Sequence, residues 1–426
     1  MKVVHVGLAG LGTVGFGTYR VLTENAREIT ARTGLKIEVT RAVVRNVEKA
    51  RNKTGGTLDV CSDFSSILDD PEIDVIVEVM GGIEPARTLI LQAIERGKHV
   101  VTANKHLIAT HGEEILRAAE ARGVVVAYEA AVAGGIPIIK ALREGLAANK
   151  IQSVSGIVNG TSNFILTKMR EDGALYEKVL SEAQRLGYAE ADPTFDVEGI
   201  DAAHKMTILA ALAFGTPFEF QPGNIEGISS LAAEDVAIAA SLGMKIKLIG
   251  QAKKVGGGIA LSVCPRLVGP ASLLYYIEDV VNAVEVVSSG LGSTFYSGRG
   301  AGERPTASAV VADIIDIART LDIPFENRVP MAGVWPEARE EVSYLPLSEQ
   351  QSRFYVRFSQ EDAALAKETF SQNGIAVKDA LEKDGFAIFI TELTKEGQLD
   401  KALQCVKSKS KVSPEALPVK LHVFDS

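Results

Sequence analysis

The sequence has few cysteines, and no pattern joins them. Cys61, Cys264 and Cys405 lie far apart along the 426 residues, and none belongs to a Cys-x-x-Cys pair. Such spacing indicates neither a disulfide framework nor a zinc knuckle. The six histidines form no His-Glu-x-x-His set, so we expect no catalytic transition metal. A reducing cytoplasm is the simplest location for this chain.

Long apolar runs and a basic surface are missing as well. No apolar run reaches the roughly 18 residues that a membrane span requires, and no signal-peptide apolar region precedes the first predicted strand. The formal net charge is -9 at pH 7, whereas nucleic-acid surfaces are normally basic. We therefore expect neither a membrane nor a nucleic acid among the partners.

The composition, with 46% hydrophobic and 23% charged residues, is typical of a soluble globular protein rather than a disordered or fibrous one. At roughly 150 residues per domain, the length predicts two or three domains. Residues 1–133 alternate short apolar strands with helical segments, which predicts a Rossmann-like doubly wound parallel sheet. The predicted strands cover residues 3–8, 36–44, 74–79, 99–102 and 124–128.

The rest of the chain has a different pattern. Residues 134–328 mix strands with longer amphipathic helices, such as one over residues 136–147, which predicts a central α+β domain. Several prolines and glutamates make residues 329–351 a predicted linker. Residues 352–426 have the order βαββαβ, which predicts a C-terminal ferredoxin-like domain.

A glycine-rich turn directly follows the first strand and precedes a helical pattern. In a dinucleotide fingerprint, Gly10 permits the tight turn, Gly12 lets the backbone approach the pyrophosphate and Gly15 lets helix and strand pack closely. A glycine motif outside this context is often only a turn. We expect the cofactor to contact the whole turn: Gly10, Leu11, Gly12, Thr13, Val14 and Gly15.

Two basic residues follow later strands of the same predicted sheet. Arg45 comes just after strand 36–44, where an acidic residue favours NAD and a basic one accommodates the NADP phosphate. NADP is therefore favoured, with NAD left open because Arg45 is also compatible with a solvated strand end. Lys105 follows strand 99–102 at the edge where ligands bind in open α/β sheets, although a snorkelling surface lysine fits the same place.

A carboxylate and an amine stand four residues apart on a predicted apolar helix. Asp201 and Lys205 could form an ordinary ion pair of about 0.3 kcal/mol, but a solvent-facing pair should have more polar neighbours. Buried charges need partners, so we expect the pair to line a cleft and Lys205 to carry a proton. Carboxylates just upstream suit a substrate ammonium group, although each alone also fits a helix cap or a solvated loop charge: Glu190, Asp192, Asp196 and Glu198.

A turn over residues 129–137 could present a carboxylate and several carbonyls to a hard cation. The same turn also suits a helix start, with Pro137 near the first helical position.

Six motifs, in order, resemble those of the homoserine dehydrogenase family, in its bacterial type with a C-terminal regulatory domain. They are GLGTVG at 10–15, EVMGG at 78–82, TANK at 102–105, AGGIP at 133–137, NGTSNF at 159–164 and the stretch 187–205.

The resemblance implies reversible NAD(P)-linked interconversion of L-homoserine and L-aspartate 4-semialdehyde, in the biosynthesis of threonine, methionine and isoleucine. It makes Lys205 the proton donor and acceptor at the substrate oxygen, and Lys105 its partner at substrate and cofactor. It also implies that residues 300–320 return to the cofactor side, with Gly302 as a contact. The implied substrate contacts are Glu190, Asp201, Gly160, Thr161 and Tyr188.

Further expectations concern a cation, an effector and an assembly. The resemblance implies a monovalent cation, Na⁺ or K⁺, held by Glu129 and the carbonyls of Val132, Gly134 and Ile136. Residues 134–328 would then bind substrate and dimerise, giving a homodimer or homotetramer. Residues 352–426 resemble an ACT domain, a possible threonine site, but residues 359–365 replace its usual helix-start glycine.

Two rival interpretations remain. A non-catalytic NAD(P)-sensing protein would use the C-terminal unit to report amino-acid levels, but it gives no reason for Lys105, Glu190, Asp201 and Lys205 to coexist. A phosphorylating aspartate-semialdehyde dehydrogenase needs an activated cysteine nucleophile, and none of the three cysteines lies in a suitable motif.

Overall fold

The N-terminal part of the chain forms a six-stranded parallel sheet. The computed structural model describes residues 2–410 and 418–424. The strands are β1 (Val3–Ala9), β2 (Lys36–Val43), β3 (Asp59–Cys61), β4 (Val75–Glu78), β5 (His99–Thr102) and β6 (Val126–Ala127). Their order is β3-β2-β1-β4-β5-β6, with parallel pairing throughout. This confirms the predicted doubly wound sheet and adds β3, whose three residues are too few to show a strand periodicity.

A second, mixed sheet contains ten strands. They are β7 (Ile151–Ile157), β8 (Lys245–Val255), β9 (Gly258–Val268), β10 (Val281–Ser288), β11 (Gly292–Arg299), β12 (Gln351–Ser359), β13 (Val377–Lys383), β14 (Phe386–Thr391), β15 (Thr394–Lys395) and β16 (Val419–Val423). Their order is β11-β10-β7-β8-β9-β16-β12-β14-β13, and β15 pairs with β12.

Helices connect the strands of both sheets. They are α1 (Thr13–Glu24), α2 (Ala26–Thr33), α3 (Val47–Thr54), α4 (Ser65–Leu68), α5 (Ala86–Glu95), α6 (Lys105–Arg122), α7 (Ile138–Lys140), α8 (Gly160–Asp172), α9 (Tyr176–Arg185), α10 (Thr194–Val197), α11 (Ile200–Phe214), α12 (Ala233–Ser241), α13 (Glu303–Thr320), α14 (Ala363–Gln372) and α15 (Glu396–Lys409). None of these described helices is both long and apolar enough to cross a membrane.

The helix predicted over residues 136–147 is shorter than expected. Only α7 is α-helical, and a π-helical turn, Ala141–Gly145, follows it. The Leu146 N–H donates to the Ala141 carbonyl at 2.8 Å, a bond five residues long. Such a bond widens the helix by one residue, which the amphipathic pattern could not indicate.

The chain divides into two compact units. The first comprises residues up to Val154, His204–Phe220 and Val284–Glu341. Its core joins buried residues of β1, β4 and α13. Helix α1 packs closely on α13, because a Cβ at Gly17 would lie 2.7 Å from the Glu303 carbonyl oxygen.

The second unit comprises Ser155–Ala203, Gln221–Ala283 and the described residues from Val342 onward. Its C-terminal part has the predicted order βαββαβ with one short added strand, β15, between β14 and α15. The core of this part contains Phe354, Phe358, Phe370 and Phe389. Strand β16 also pairs in parallel with β9, so this subdomain extends the larger sheet. The predicted boundaries at 133, 328 and 351 stay predictions.

Candidate active site

The glycine turn after β1 has the geometry that its sequence predicts. Gly10 has a φ of +104°, and a Cβ there would lie 2.9 Å from the Val79 carbonyl oxygen. A Cβ at Gly15 would overlap the Gly10 carbonyl oxygen, whereas one at Gly12 would meet no protein atom within 4 Å. Gly10 and Gly15 are therefore required by the protein's own backbone, and Gly12 leaves room beside the helix start.

Helix α1 begins at this turn without a side-chain cap among the described residues. Its first N–H groups and its dipole favour an anionic group at that end. Lys53 Nζ lies nearby, 3.2 Å from the Gly12 carbonyl oxygen and 4.2 Å from the Phe16 ring centroid. The residues present therefore fit the pyrophosphate of a dinucleotide.

Arg45 lies close to the same turn. The Gly10 N–H donates to the carbonyl of Val43 at 2.9 Å, and Arg45 follows two residues later with an exposed side chain. Asn46 then caps α3, accepting from the Lys49 N–H at 2.9 Å. An exposed guanidinium at this strand end suits a phosphate group.

A buried hydrogen-bond network fixes the ends of β4 and β5. The fully buried Glu78 carboxylate accepts from the Met80 N–H at 2.8 Å and from the Thr102 hydroxyl at 2.7 Å. The Thr102 oxygen accepts from the Asn104 N–H at 3.0 Å, and Asn104 caps α6. Lys105 is the first residue of α6, so this network determines where its backbone lies.

Lys205 is buried, with 8% of its surface exposed, in the apolar middle of the chain's α11. Asp201, 4% exposed, stands four residues earlier on the same helix. The structure therefore confirms that neither residue is a solvent-facing charge. Burial of an amine on an apolar helix is the setting in which a lysine serves proton transfer.

The turn after β6 carries the candidate cation residues. The Glu129 carboxylate accepts N–H groups of Ile139 at 2.9 Å and Lys140 at 2.7 Å, and its own N–H donates to Asp313 at 2.8 Å. Burial raises the pKa of Glu129 to about 7 and that of Asp313 well above its usual value. Two buried carboxylates in one place suit a nearby positive charge.

The carbonyl-bearing residues of this turn have an unusual backbone. Gly134 has a φ of +53°, and a Cβ there would overlap the Gly300 carbonyl oxygen. Val132 and Ile136 are buried on either side of it. Gly302, with a φ of +118°, starts α13. The loop before α13 thus passes directly against the predicted cation turn within the first unit.

In the second unit, Asn159 holds two carboxylates. Its side-chain amide donates to Asp196 at 2.7 Å and to Asp201 at 2.8 Å. Its side-chain oxygen accepts from the Ser162 N–H at 2.8 Å and so caps α8. Sequence reasoning gave Asn159 no role of its own, and only its place in the NGTSNF motif could have drawn attention to it.

Other predicted substrate contacts of this unit lie at or near the start of α8. Gly160 starts α8, where a Cβ would lie 2.9 Å from the Val280 carbonyl oxygen. The Thr161 hydroxyl donates to the Tyr188 carbonyl at 2.7 Å. Tyr188 is 44% exposed, and Glu190 follows it with an exposed side chain. The structure thus places Asp201, Thr161 and Tyr188 around the start of α8, with Glu190 at the surface.

These features define a class of protein. A parallel sheet of this order with a dinucleotide turn and a lysine at a strand's carboxyl edge belongs to nicotinamide-dependent oxidoreductases. Two family models match the chain, the homoserine dehydrogenase NAD-binding domain over residues 10–129 and homoserine dehydrogenase over residues 137–315.

Individual relatives agree with these models. The homoserine dehydrogenase of Pseudomonas aeruginosa is 47% identical over 99% of each chain, and that of Neisseria gonorrhoeae is 47% identical over 96% of each. A crystal structure of the Thiobacillus denitrificans homoserine dehydrogenase is 48% identical, covers 100% of this chain and 99% of that one, and has a TM-score of 0.95.

A hyperthermophilic archaeal homoserine dehydrogenase in complex with NADPH matches 76% of this chain and 99% of its own, at 29% identity and a TM-score of 0.64. The chain belongs to the homoserine dehydrogenase family, as its motifs predicted, and is an NAD(P)-dependent oxidoreductase.

Proposed function

We propose that the chain interconverts L-homoserine and L-aspartate 4-semialdehyde with a nicotinamide cofactor, a step towards threonine, methionine and isoleucine, in the cytoplasm. The observation that carries this proposal is the buried Lys205, on an apolar helix of a chain that belongs to this family. A bound nicotinamide supplies or accepts the hydride. Lys205, when protonated, donates a proton to the developing alkoxide, and when neutral it removes the hydroxyl proton in the reverse direction.

The second lysine has a supporting role in this proposal. Lys105 stands at the carboxyl edge of the parallel sheet, where its ammonium would contact both the substrate oxygen and the cofactor. The support for this assignment is the network of Glu78, Thr102 and Asn104, which fixes the backbone just before it. A fixed backbone keeps the reacting groups in one orientation.

Five of the predicted residues would bind the amino-acid end of the substrate. Asp201 and Glu190 would attract its ammonium group, and Gly160, Thr161 and Tyr188 would close around it. The support is the Asn159 amide, which holds the Asp201 carboxylate in one orientation, and the Thr161 hydroxyl, which fixes the Tyr188 backbone. A hydrogen bond to a carboxylate, such as the one from Asn159 to Asp201, is stronger than one between neutral groups.

For the cofactor, we propose the contacts Gly10, Leu11, Gly12, Thr13, Val14, Gly15, Lys105 and Gly302, with Arg45 on the 2′-phosphate of NADP. The exposed guanidinium after β2 supports NADP over NAD, and the archaeal relative binds NADPH. Lys53, beside the Gly12 carbonyl, adds a second positive charge at this edge.

A monovalent cation, Na⁺ or K⁺, is proposed at Glu129 and the carbonyls of Val132, Gly134 and Ile136. The buried carboxylates of Glu129 and Asp313 support a positive charge there. We also propose a homodimer or homotetramer, and threonine as the effector to test at residues 352–426.

The test is spectrophotometric. Homoserine oxidation is followed at the reduced-cofactor absorbance band with NAD and NADP in parallel, with and without K⁺ and with threonine added stepwise. Reduction of cofactor that depends on homoserine supports the proposal, and a lower KM for NADP supports the role of Arg45. Cofactor binding without turnover would favour the sensing protein, and phosphate-dependent turnover of the semialdehyde would favour the phosphorylating enzyme.

A further inference from the structure

Two histidine side chains stack face to face in the first unit. The imidazoles of His106 and His204 have ring centroids 4.6 Å apart and an interplanar angle of 18°. His204 is 2% exposed, and its ring also lies 4.7 Å from the ring of Phe220. His106 is only partly buried. The buried His204 ring thus contacts two other rings, and stacked or tilted rings at such distances attract each other.

Each of the two histidines is adjacent in sequence to one of the proposed catalytic lysines. His106 follows Lys105 at the start of α6, and His204 precedes Lys205 on α11. Consecutive Cα atoms are about 3.8 Å apart, so a contact that fixes the two histidines also restricts where the two lysine backbones can lie. The stack is therefore a direct mechanical link between α6 and α11.

The link depends on ring packing rather than charge. Burial lowers the pKa of His106, and the nearby His111 and Lys105 lower it further. A lowered pKa favours the neutral imidazole, which packs on His204 without like-charge repulsion. The histidine pair therefore contributes ring packing beside Lys105 rather than a positive charge.

We infer that His106 and His204 are positioning residues whose stacked rings set the spacing of Lys105 and Lys205. The inference rests on the proposed function, which gives those lysines their roles. Neither imidazole is assigned a contact with substrate or cofactor. Loss of the stack lowers kcat because misplacing a reacting group by about 1 Å can cost up to about 100-fold in rate.

The first experiment compares His106→Ala with His106→Phe in the full-length protein. His106 is the better position to change, because its partial exposure lets both variants fold. The Ala variant should lose about 10- to 100-fold in kcat, whereas the Phe variant, which keeps a ring for stacking, should stay within about threefold of the original. The KM for NADP should change by a smaller factor than kcat, because Lys105 is only one of the proposed cofactor contacts. His111→Ala, at a partly buried histidine of the same helix that pairs with Glu114 rather than with His204, is the control.

A merely structural role gives a different pattern. It would lower the melting temperature of His106→Ala and leave kcat unchanged at temperatures where the protein is folded. That result would overturn the inference, as would equal kcat values for the Ala and Phe variants.

The second experiment combines His106→Ala with Lys205→Ala and measures the residual rate at high enzyme concentration. If the stack acts by setting the spacing of Lys105 and Lys205, it has no effect once Lys205 is gone. The double variant should then be no slower than Lys205→Ala alone, because the effects of coupled residues are not additive. A further 10-fold loss would overturn the inference.

The two proposals fail in different ways. Substantial activity in Lys205→Ala would remove the proton-transfer role itself, whatever His106 does. An inactive Lys205→Ala together with a fully active His106→Ala would leave the proposed function standing and remove only the inference.

Discussion

The side-chain amide of Asn159 donates a hydrogen bond to a carboxylate oxygen of Asp201 at 2.8 Å, and both residues are buried. The second amide hydrogen goes to Asp196 at 2.7 Å. One neutral side chain thereby separates two negative charges and orients each. If Asp201 binds the substrate ammonium, as we propose, Asn159 determines the direction from which it does so.

Replacing Asn159 should therefore weaken substrate binding. In Asn159→Ala we expect the KM for homoserine to rise by about tenfold or more, the size of one lost hydrogen bond to a charged group. The KM for NADP should stay constant. Asn159→Ser is the matched control, because serine can still cap α8 but cannot bridge both carboxylates. Equal homoserine KM values for the wild type and both variants would contradict the role of Asn159.

Lys205→Ala should lower kcat by roughly 10²- to 10⁴-fold while the dinucleotide still binds. The physical reason is that no other group is proposed to move the proton at the substrate oxygen. Steady-state rates and NADPH fluorescence titration measure the two properties separately. Lys150→Ala, on an exposed lysine of the same unit, is the control. If Lys205→Ala kept most of the activity, Lys205 could not be the group that transfers the proton.

Gly12 and Gly15 should respond differently to the same substitution. Gly12 has an ordinary φ of -68° and open space for a Cβ, so Gly12→Ala should leave the melting temperature unchanged. The added methyl group would obstruct the pyrophosphate and weaken cofactor binding. Gly15→Ala should lower the melting temperature, since its Cβ overlaps the Gly10 carbonyl. Unchanged NADPH affinity in Gly12→Ala would argue against this turn as the pyrophosphate site.

Arg45→Ala should discriminate between the two cofactors. The KM for NADP should rise about tenfold, as expected for one lost charge-assisted contact, while the KM for NAD should stay nearly constant. The difference should shrink at high ionic strength because the contact is exposed. Arg27→Ala, an exposed arginine on α2, is the control. A parallel rise for NAD and NADP would show that Arg45 does not read the 2′-phosphate.

His99 should give the fold a pH-dependent stability. Burial, and to a lesser extent Arg328, lowers its pKa from 6.5 to about 4, and its Nδ1 accepts the Val125 N–H at 2.9 Å. Between these pH values the unfolded chain binds a proton that the folded protein does not. The contribution of His99 to the free energy of unfolding is therefore fully present above pH 6.5 and is lost as the pH falls towards 4.

The variant His99→Asn isolates this contribution. Its side-chain oxygen can accept the same N–H but does not titrate. Chemical denaturation at several pH values should show a smaller loss of unfolding free energy between pH 6.5 and 4 in the variant. The same slope in both proteins would rule out His99 as the titrating group.

Local patterns predicted much of this molecule, and long-range contacts account for the rest. Strand β1 and the glycine turn are adjacent in sequence, so periodicity and spacing were sufficient to locate them. The Asp201 and Lys205 spacing likewise follows from one helix. By contrast, the Glu78 to Thr102 hydrogen bond joins residues 24 positions apart, and the Asn159 to Asp201 bond joins residues 42 apart.

The pairing of β16 with β9 has a practical consequence for shortened forms of the protein. Residues His422 and Val423 align with Arg266 and Leu267, and the Phe424 N–H donates to the Leu267 carbonyl at 2.8 Å. Removing everything after residue 351 would expose the backbone groups of Arg266 and Leu267 at the end of β9, and a free strand edge invites aggregation. The C-terminal part of the second unit thus protects an edge of the sheet whether or not it binds an effector.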